Sequence, residues 1–78
     1  MNLCATKNDR INTLELKIAR ARKQLTQEEM SKQLNISRQN YSLKETGKLI
    51  FTLKEASIIK DVLDLNKDEV INIFFPTM

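Results

Sequence analysis

"LTQEEMSKQLNISRQNYSLKETGK", Leu25 to Lys48, holds two helix starts, a turn and a helix stop within 24 residues. Thr26 followed by Glu29 is a capping box. The hydroxyl can accept from the third amide of a helix while the glutamate reaches back to the amide of the cap, so a helix is predicted from Gln27 to about Leu34. Met30 and Leu34, four apart, supply its apolar side. Asn35 tolerates the left-handed conformation that reverses the chain in few residues, and Ile36 can pack under that turn. Ser37 then caps a second helix, from Arg38 to about Thr46, which Gly47 ends.

Outward from this pair the same signals recur. Upstream, Leu14, Ile18, Ala21 and Leu25 are spaced four, three and four apart, one helical face expected to be buried. Thr13 is the expected cap of this helix, which runs to about Lys23, and Arg20, Arg22 and Lys23 suit its C-terminal end. Downstream, "TLKE" places Thr52 and Glu55 in a second capping box, followed by Ala56, Ile59 and Leu63 on one stripe with Ile58 and Val62 beside it. "NKDE" repeats the box with Asn66 and Glu69 and opens a short last helix bearing Val70, Ile71, Ile73 and Phe74 before Pro76. No stretch alternates with period two. The expectation is an all-α compact five-helix bundle over residues 13–78, preceded by an N-terminal arm at 1–12.

Composition narrows the function. A chain of 78 residues is one domain, able to bury about 60 per cent of its unfolded surface. There is no histidine, and the single cysteine, Cys4, falls in the expected arm as a spectator thiol. With no glycine-rich phosphate loop and no metal-ligand spacing, neither an enzyme nor a cofactor site is expected. The absence of a long apolar run or a secretion signal points to the cytoplasm and away from a membrane. The net charge of +3 is unevenly spread: residues 1–50 carry 10 Lys/Arg against 5 Asp/Glu, and residues 51–78 carry 3 against 5. A basic N-terminal part of this kind suits a polyanionic partner.

Two short helices joined by a tight turn, the second opening on Arg38, Gln39 and Asn40, form the arrangement in which a helix enters the major groove of DNA. Arginine can donate bidentately to guanine, and glutamine or asparagine can pair with the adenine edge. Gln27, at the head of the preceding helix, stands where free amides favour a phosphate. Lys44 and Lys48, with Thr46 between them, could neutralise phosphates at the far end.

At these residues the chain closely resembles the phage-repressor-like (Cro/repressor, XRE-type) helix-turn-helix DNA-binding family, from about Leu14 to Phe75. "LTQEEMSKQLNISRQNYSLKETGK" matches its helix-turn-helix and Glu-x-Gly ending, and "FTLKEASIIKDVLDLNKDEVINIFF" its two closing helices. The resemblance implies a lambda-repressor-like fold and sequence-specific binding of double-stranded DNA, as in a repressor of a phage or other mobile genetic element. It also implies roles: Gln27 on a phosphate; Arg38, Gln39 and Leu43 on bases; Asn40, Ser42, Thr46 and Lys48 on the backbone or neighbouring bases. Ser37 and Lys44 complete the expected DNA-facing set. Arg20 and Glu45 match a structural ion pair tying the first helix to the end of the third.

Departures from the family pattern are few. Met30 and Ser31 stand where Leu and Ala are common, Gln24 and Asn35 replace glycines, and Lys44 takes an often apolar position, its stem expected over the core and its ammonium outward. Tyr41 is expected to be core. Phe74, Phe75 and Ile71 could be core or could form a homodimer contact. The rival function is a protein-interaction module on the same fold, antirepressor-like or antitoxin-like, with Leu43 as the residue that fits it. A protein antagonist or co-regulator is compatible with either.

Overall fold

The capping signals place five helices among the described residues, 11–76, of the computed structural model. They are α1 Thr13–Arg22, α2 Gln27–Leu34, α3 Arg38–Glu45, α4 Leu53–Val62 and α5 Lys67–Phe74. Each opens on a side-chain oxygen that accepts from the amide three residues on: Asn12 from Glu15 at 3.2 Å, Thr26 from Glu29, Ser37 from Asn40 and Thr52 from Glu55 at 3.0 Å, and Asn66 from Glu69 at 2.8 Å. All three predicted capping boxes are closed by the returning glutamate. The first cap differs from expectation, because Thr13 is already helical and Asn12 does the capping. Asn12 N–H also donates to the Ile73 carbonyl at 2.7 Å, and Ile11 packs against the core, so these two residues of the expected arm belong to the fold. The rest of that arm, with Cys4, lies outside the described residues.

Four of the helices end alike. A residue with positive φ follows each of α1 to α4: Gln24 (59°), Asn35 (59°), Gly47 (88°) and Asp64 (53°). The next residue then returns its N–H to a carbonyl five positions back: Leu25 to Arg20, Ile36 to Ser31, Lys48 to Leu43 and Leu65 to Lys60. This closes carbonyls that a helix end leaves open. Three of those returning residues are apolar and pack against the core or within it, which offsets the cost of left-handed backbone at a residue with a Cβ. Gln24 and Asn35 thus carry these left-handed turns without glycine. Helix α3 stops one residue short of expectation, at Glu45, with Thr46 as its cap.

The buried face of α1 is not the expected one. Leu16 and Ala19 are buried at 0 % and 4 % exposure, whereas Leu14 is 63 % and Ile18 41 % exposed and Ala21 faces solvent. Positions two apart on an α-helix are turned by about 200°, so the two sets lie on opposite faces, each with enough apolar residues to look like a core stripe. Tertiary bonds decide between them: Asn12 to Ile73 at one end of α1 and Arg20 to Glu45 at the other fix its rotation.

Helix α2 packs mainly on α3 and then on α4, and α1 lies against α5 and α3. Ser31, 3 % exposed, keeps the α2–α3 approach free of bulk, its hydroxyl donating to the Glu28 carbonyl at 2.6 Å. The core joins Leu16, Met30, Tyr41, Ile59 and Ile73 through an aromatic column. Tyr41 and Phe51 are tilted with centroids 6.1 Å apart, and Phe51 meets Phe74 edge-on at 5.9 Å. Such pairs add about 0.5–1.5 kcal/mol beyond their buried area. Phe74 is therefore core, while Phe75 is 41 % exposed and Ile71 half-buried.

Candidate nucleic-acid interface

One buried carboxylate fixes the relation between the two helices of the motif. Glu45, fully buried at the end of α3, accepts from Arg20 Nε at 2.8 Å and Nη2 at 3.2 Å, from Gln27 Nε2 at 2.8 Å and from the Tyr41 hydroxyl at 2.7 Å. Arg20 Nη1 also donates to the Leu25 carbonyl at 2.8 Å, holding the α1–α2 turn. Burial pushes the Glu45 carboxyl up. The bonds from Arg20, Gln27 and Tyr41 outweigh it and hold the group below the ordinary carboxylate range. Its bond to Glu45 raises Arg20, and burial, reinforced by the bond to Glu45, raises Tyr41 well above an ordinary phenol. Three segments, α1, the head of α2 and α3, thus meet on one charge, and Arg20 ties the α1–α2 turn to it.

Gln27 is half-buried, and its amide is engaged with Glu45 through one N–H, leaving the other N–H and the carbonyl oxygen. The glutamine at the head of α2 is in this way positioned by the far end of α3.

At the other end of α3 the side chains face water. Arg38, Gln39 and Asn40 are exposed, and among the described residues no hydrogen bond or ion pair engages their side chains. Ser37 uses its hydroxyl to cap the helix, accepting from the Asn40 amide. Arg38 and Gln27 line one open cleft of about 620 Å³, together with Arg20, Gln24, Thr26 and Glu28. Gln24 and Thr26 are not legible in the sequence as members of this cleft, because the left-handed turn at Gln24 brings the α1–α2 connection beside Arg38 only in the fold. Ser42 and Leu43 are half-buried on the flank of α3. Thr46 is exposed, but its hydroxyl donates back to the Ser42 and Leu43 carbonyls at 3.0 and 3.1 Å. Lys48 is exposed beyond the helix end.

Lys44 does not join this outward set. Its ammonium meets Glu55 Oε1 at 2.6 Å, with side-chain exposures of only 14 % and 13 %. Glu55 also accepts from the Thr52 amide, so one carboxylate closes the α4 cap and binds α3 to it. The stem covers the core as expected, but the head turns inward because a partly buried carboxylate is within reach. Burial raises the Glu55 carboxyl, and Lys44 and the Thr52 amide bring it below the ordinary range. Among the described residues no group of His, Cys, Asp or Glu side chains could hold a metal ion, and no helix is long and apolar enough to cross a membrane.

The heads of α2 and α3 thus present hydrogen-bond donors from Gln27, Arg38, Gln39 and Asn40, and Lys48 lies exposed beyond the far end of α3. A family model described as helix-turn-helix matches residues 16–70, more than two thirds of the chain, from the buried face of α1 into α5. No curated protein and no solved structure gives a match. With a capped α2, a left-handed turn at Asn35 and an α3 locked at its far end by Glu45, the chain belongs to the Cro/repressor-like (XRE-type) helix-turn-helix family of DNA-binding regulator domains.

Proposed function

We propose that the protein is a sequence-specific regulator that binds double-stranded DNA as a homodimer in the cytoplasm and represses transcription from a phage or other mobile genetic element. The observation that carries this reading is the free first turn of α3: Arg38, Gln39 and Asn40 are exposed and unengaged among the described residues, beside Gln27 at the head of α2. In the major groove Arg38 would donate to a guanine edge and Gln39 to an adenine edge, each discriminating by about 1–3 kcal/mol. Gln27 with the first amides of α2 would hold a phosphate, and Asn40, Ser42, Thr46 and Lys48 would line the backbone path. Ser37 acts through its cap. Leu43, half-buried, would meet a thymine methyl through its remaining surface.

The repressor and mobile-element parts of the proposal rest on resemblance to phage repressors. A protein-binding α3 would need exposed apolar groups, and its exposed first turn is polar throughout. Selection of bound sequences from a random duplex DNA pool by the purified protein tests the reading. Enrichment of a short two-fold motif with half-sites about one helical turn apart is expected. No enrichment at low salt would overturn it.

A further inference from the structure

Among the four residues with positive φ that follow α1 to α4, Gln24 is the exception. Gly47 has no Cβ, and Asn35 and Asp64 carry the short polar side chains that tolerate this conformation. Gln24 is longer and exposed, and its side chain makes no hydrogen bond among the described residues. A glutamine there costs conformational energy that a glycine would not, and the fold gains no bond in return. The side chain does line the cleft between the α1–α2 turn and the head of α3, beside Gln27 and Arg38. Left-handed backbone at such a residue points to a use for the side chain outside the fold. We propose, resting on the DNA-binding reading, that Gln24 is a further DNA-contacting residue, its side-chain amide donating to a backbone phosphate beside the head of α2.

The turn is held without help from that side chain. Gln24 N–H donates to the Ala21 carbonyl at 2.9 Å, Leu25 N–H to the Arg20 carbonyl at 3.3 Å, and Arg20 Nη1 to the Leu25 carbonyl at 2.8 Å. The backbone of Gln24 is thus fixed two residues before Thr26, the cap of α2. When the second helix of such a motif lies in the groove, the first crosses the DNA backbone, so the turn leading into α2 meets phosphates and not base edges. A neutral amide suits this place, because it donates to a phosphate oxygen and adds no charge. Glu28, the carboxylate on the cleft wall, has Lys32 3.8 Å away. A contact of this kind adds affinity on every sequence and reads none.

Thermal melts and duplex binding across salt, on the full chain with Gln24→Gly and with Gln24→Lys, test this. Gln24→Gly should melt no lower than wild type, since glycine accepts the turn freely. It should nevertheless bind the enriched duplex and a scrambled one about three- to tenfold more weakly, with the salt slope unchanged. Gln24→Lys should steepen the fall of log affinity with log salt by about 0.9, whereas Gln33→Lys, exposed in the last turn of α2, should leave it alone. Wild-type affinity in Gln24→Gly, or a wild-type slope in Gln24→Lys, overturns the proposal. A lowered melt in Gln24→Gly would make the side chain part of the fold, and a loss confined to one base position would make it a base reader; either overturns the phosphate contact. Failure of the DNA reading looks different: wild type then enriches no sequence from the random pool, and the Gln24 contact falls with it. If the Gln24 contact alone is wrong, wild type and Gln24→Gly enrich the same motif and bind it equally.

Discussion

The two halves of α3 differ in every respect that physical chemistry can weigh. In the last turns, Tyr41, Lys44 and Glu45 are buried or half-buried and their polar atoms all meet partners within the protein. In the first turn, Arg38, Gln39 and Asn40 stand in water with side chains unengaged among the described residues. An unmade bond to a buried group is costly, whereas an exposed polar side chain is satisfied by water, so the satisfied half stabilises the fold and the free half is available to a ligand. The contrast separates residues that hold the helix from residues that can use it.

The largest expected effect falls on the satisfied half. Glu45→Ala leaves Arg20, Gln27 and Tyr41 without their common acceptor and should cost about 3–5 kcal/mol, lowering the thermal midpoint by about 12 °C or more. A loss within that of an ordinary surface substitution, about 0.5 kcal/mol, would break the distinction. Acid should act on the same half. The folded protein holds Glu45 and Glu55 below the ordinary carboxylate range, so the unfolded chain takes up their protons more readily. Their contribution is complete above about pH 5 and is lost as pH falls through the ordinary value near 4.3 towards the depressed folded ones, which urea melts across pH will follow. Stability unchanged down to about pH 3 would contradict it.

Substitutions in the free half should leave melts alone and move binding. Gln39→Ala should cost about 1–3 kcal/mol on the enriched duplex, confined to one base position, with stability changed by less than about 0.5 kcal/mol. Uniform weakening across all positions would take Gln39 out of base reading. Lys48→Ala should weaken enriched and scrambled duplexes alike and reduce the slope of log affinity against log salt by about 0.9. An unchanged slope would remove Lys48 from the phosphate path.

How far these halves were legible in the sequence depended on the range of the forces involved. Caps and boxes are local hydrogen bonds, so Thr26, Ser37, Thr52 and Asn66 located four helix starts, and the polar first turn of α3 stood out once its cap was found. The left-handed turns at Gln24 and Asp64 carry no such local signal, because they are stabilised by Leu25 and Leu65 reaching a core that spacing does not display. The rotation of α1 is hidden for the same reason: Leu14 and Ile18 mimic a buried stripe, and the bonds that turn Leu16 inward, Asn12 to Ile73 and Arg20 to Glu45, join residues far apart in the chain. Lys44 was expected outward because Glu55, its partner on α4, becomes its neighbour only in the fold.

The most direct test of the contrast pairs two measurements on Arg38→Ala: the thermal melt, and the affinity for the enriched duplex against a scrambled one. Expected are a melt unchanged within about 0.5 kcal/mol, a loss of about 1–3 kcal/mol on the enriched duplex, and near-wild-type binding to the scrambled one. A destabilised fold, or equal losses on both duplexes, would contradict the claim that the first turn of α3 is free to read sequence while its last turns hold the protein together.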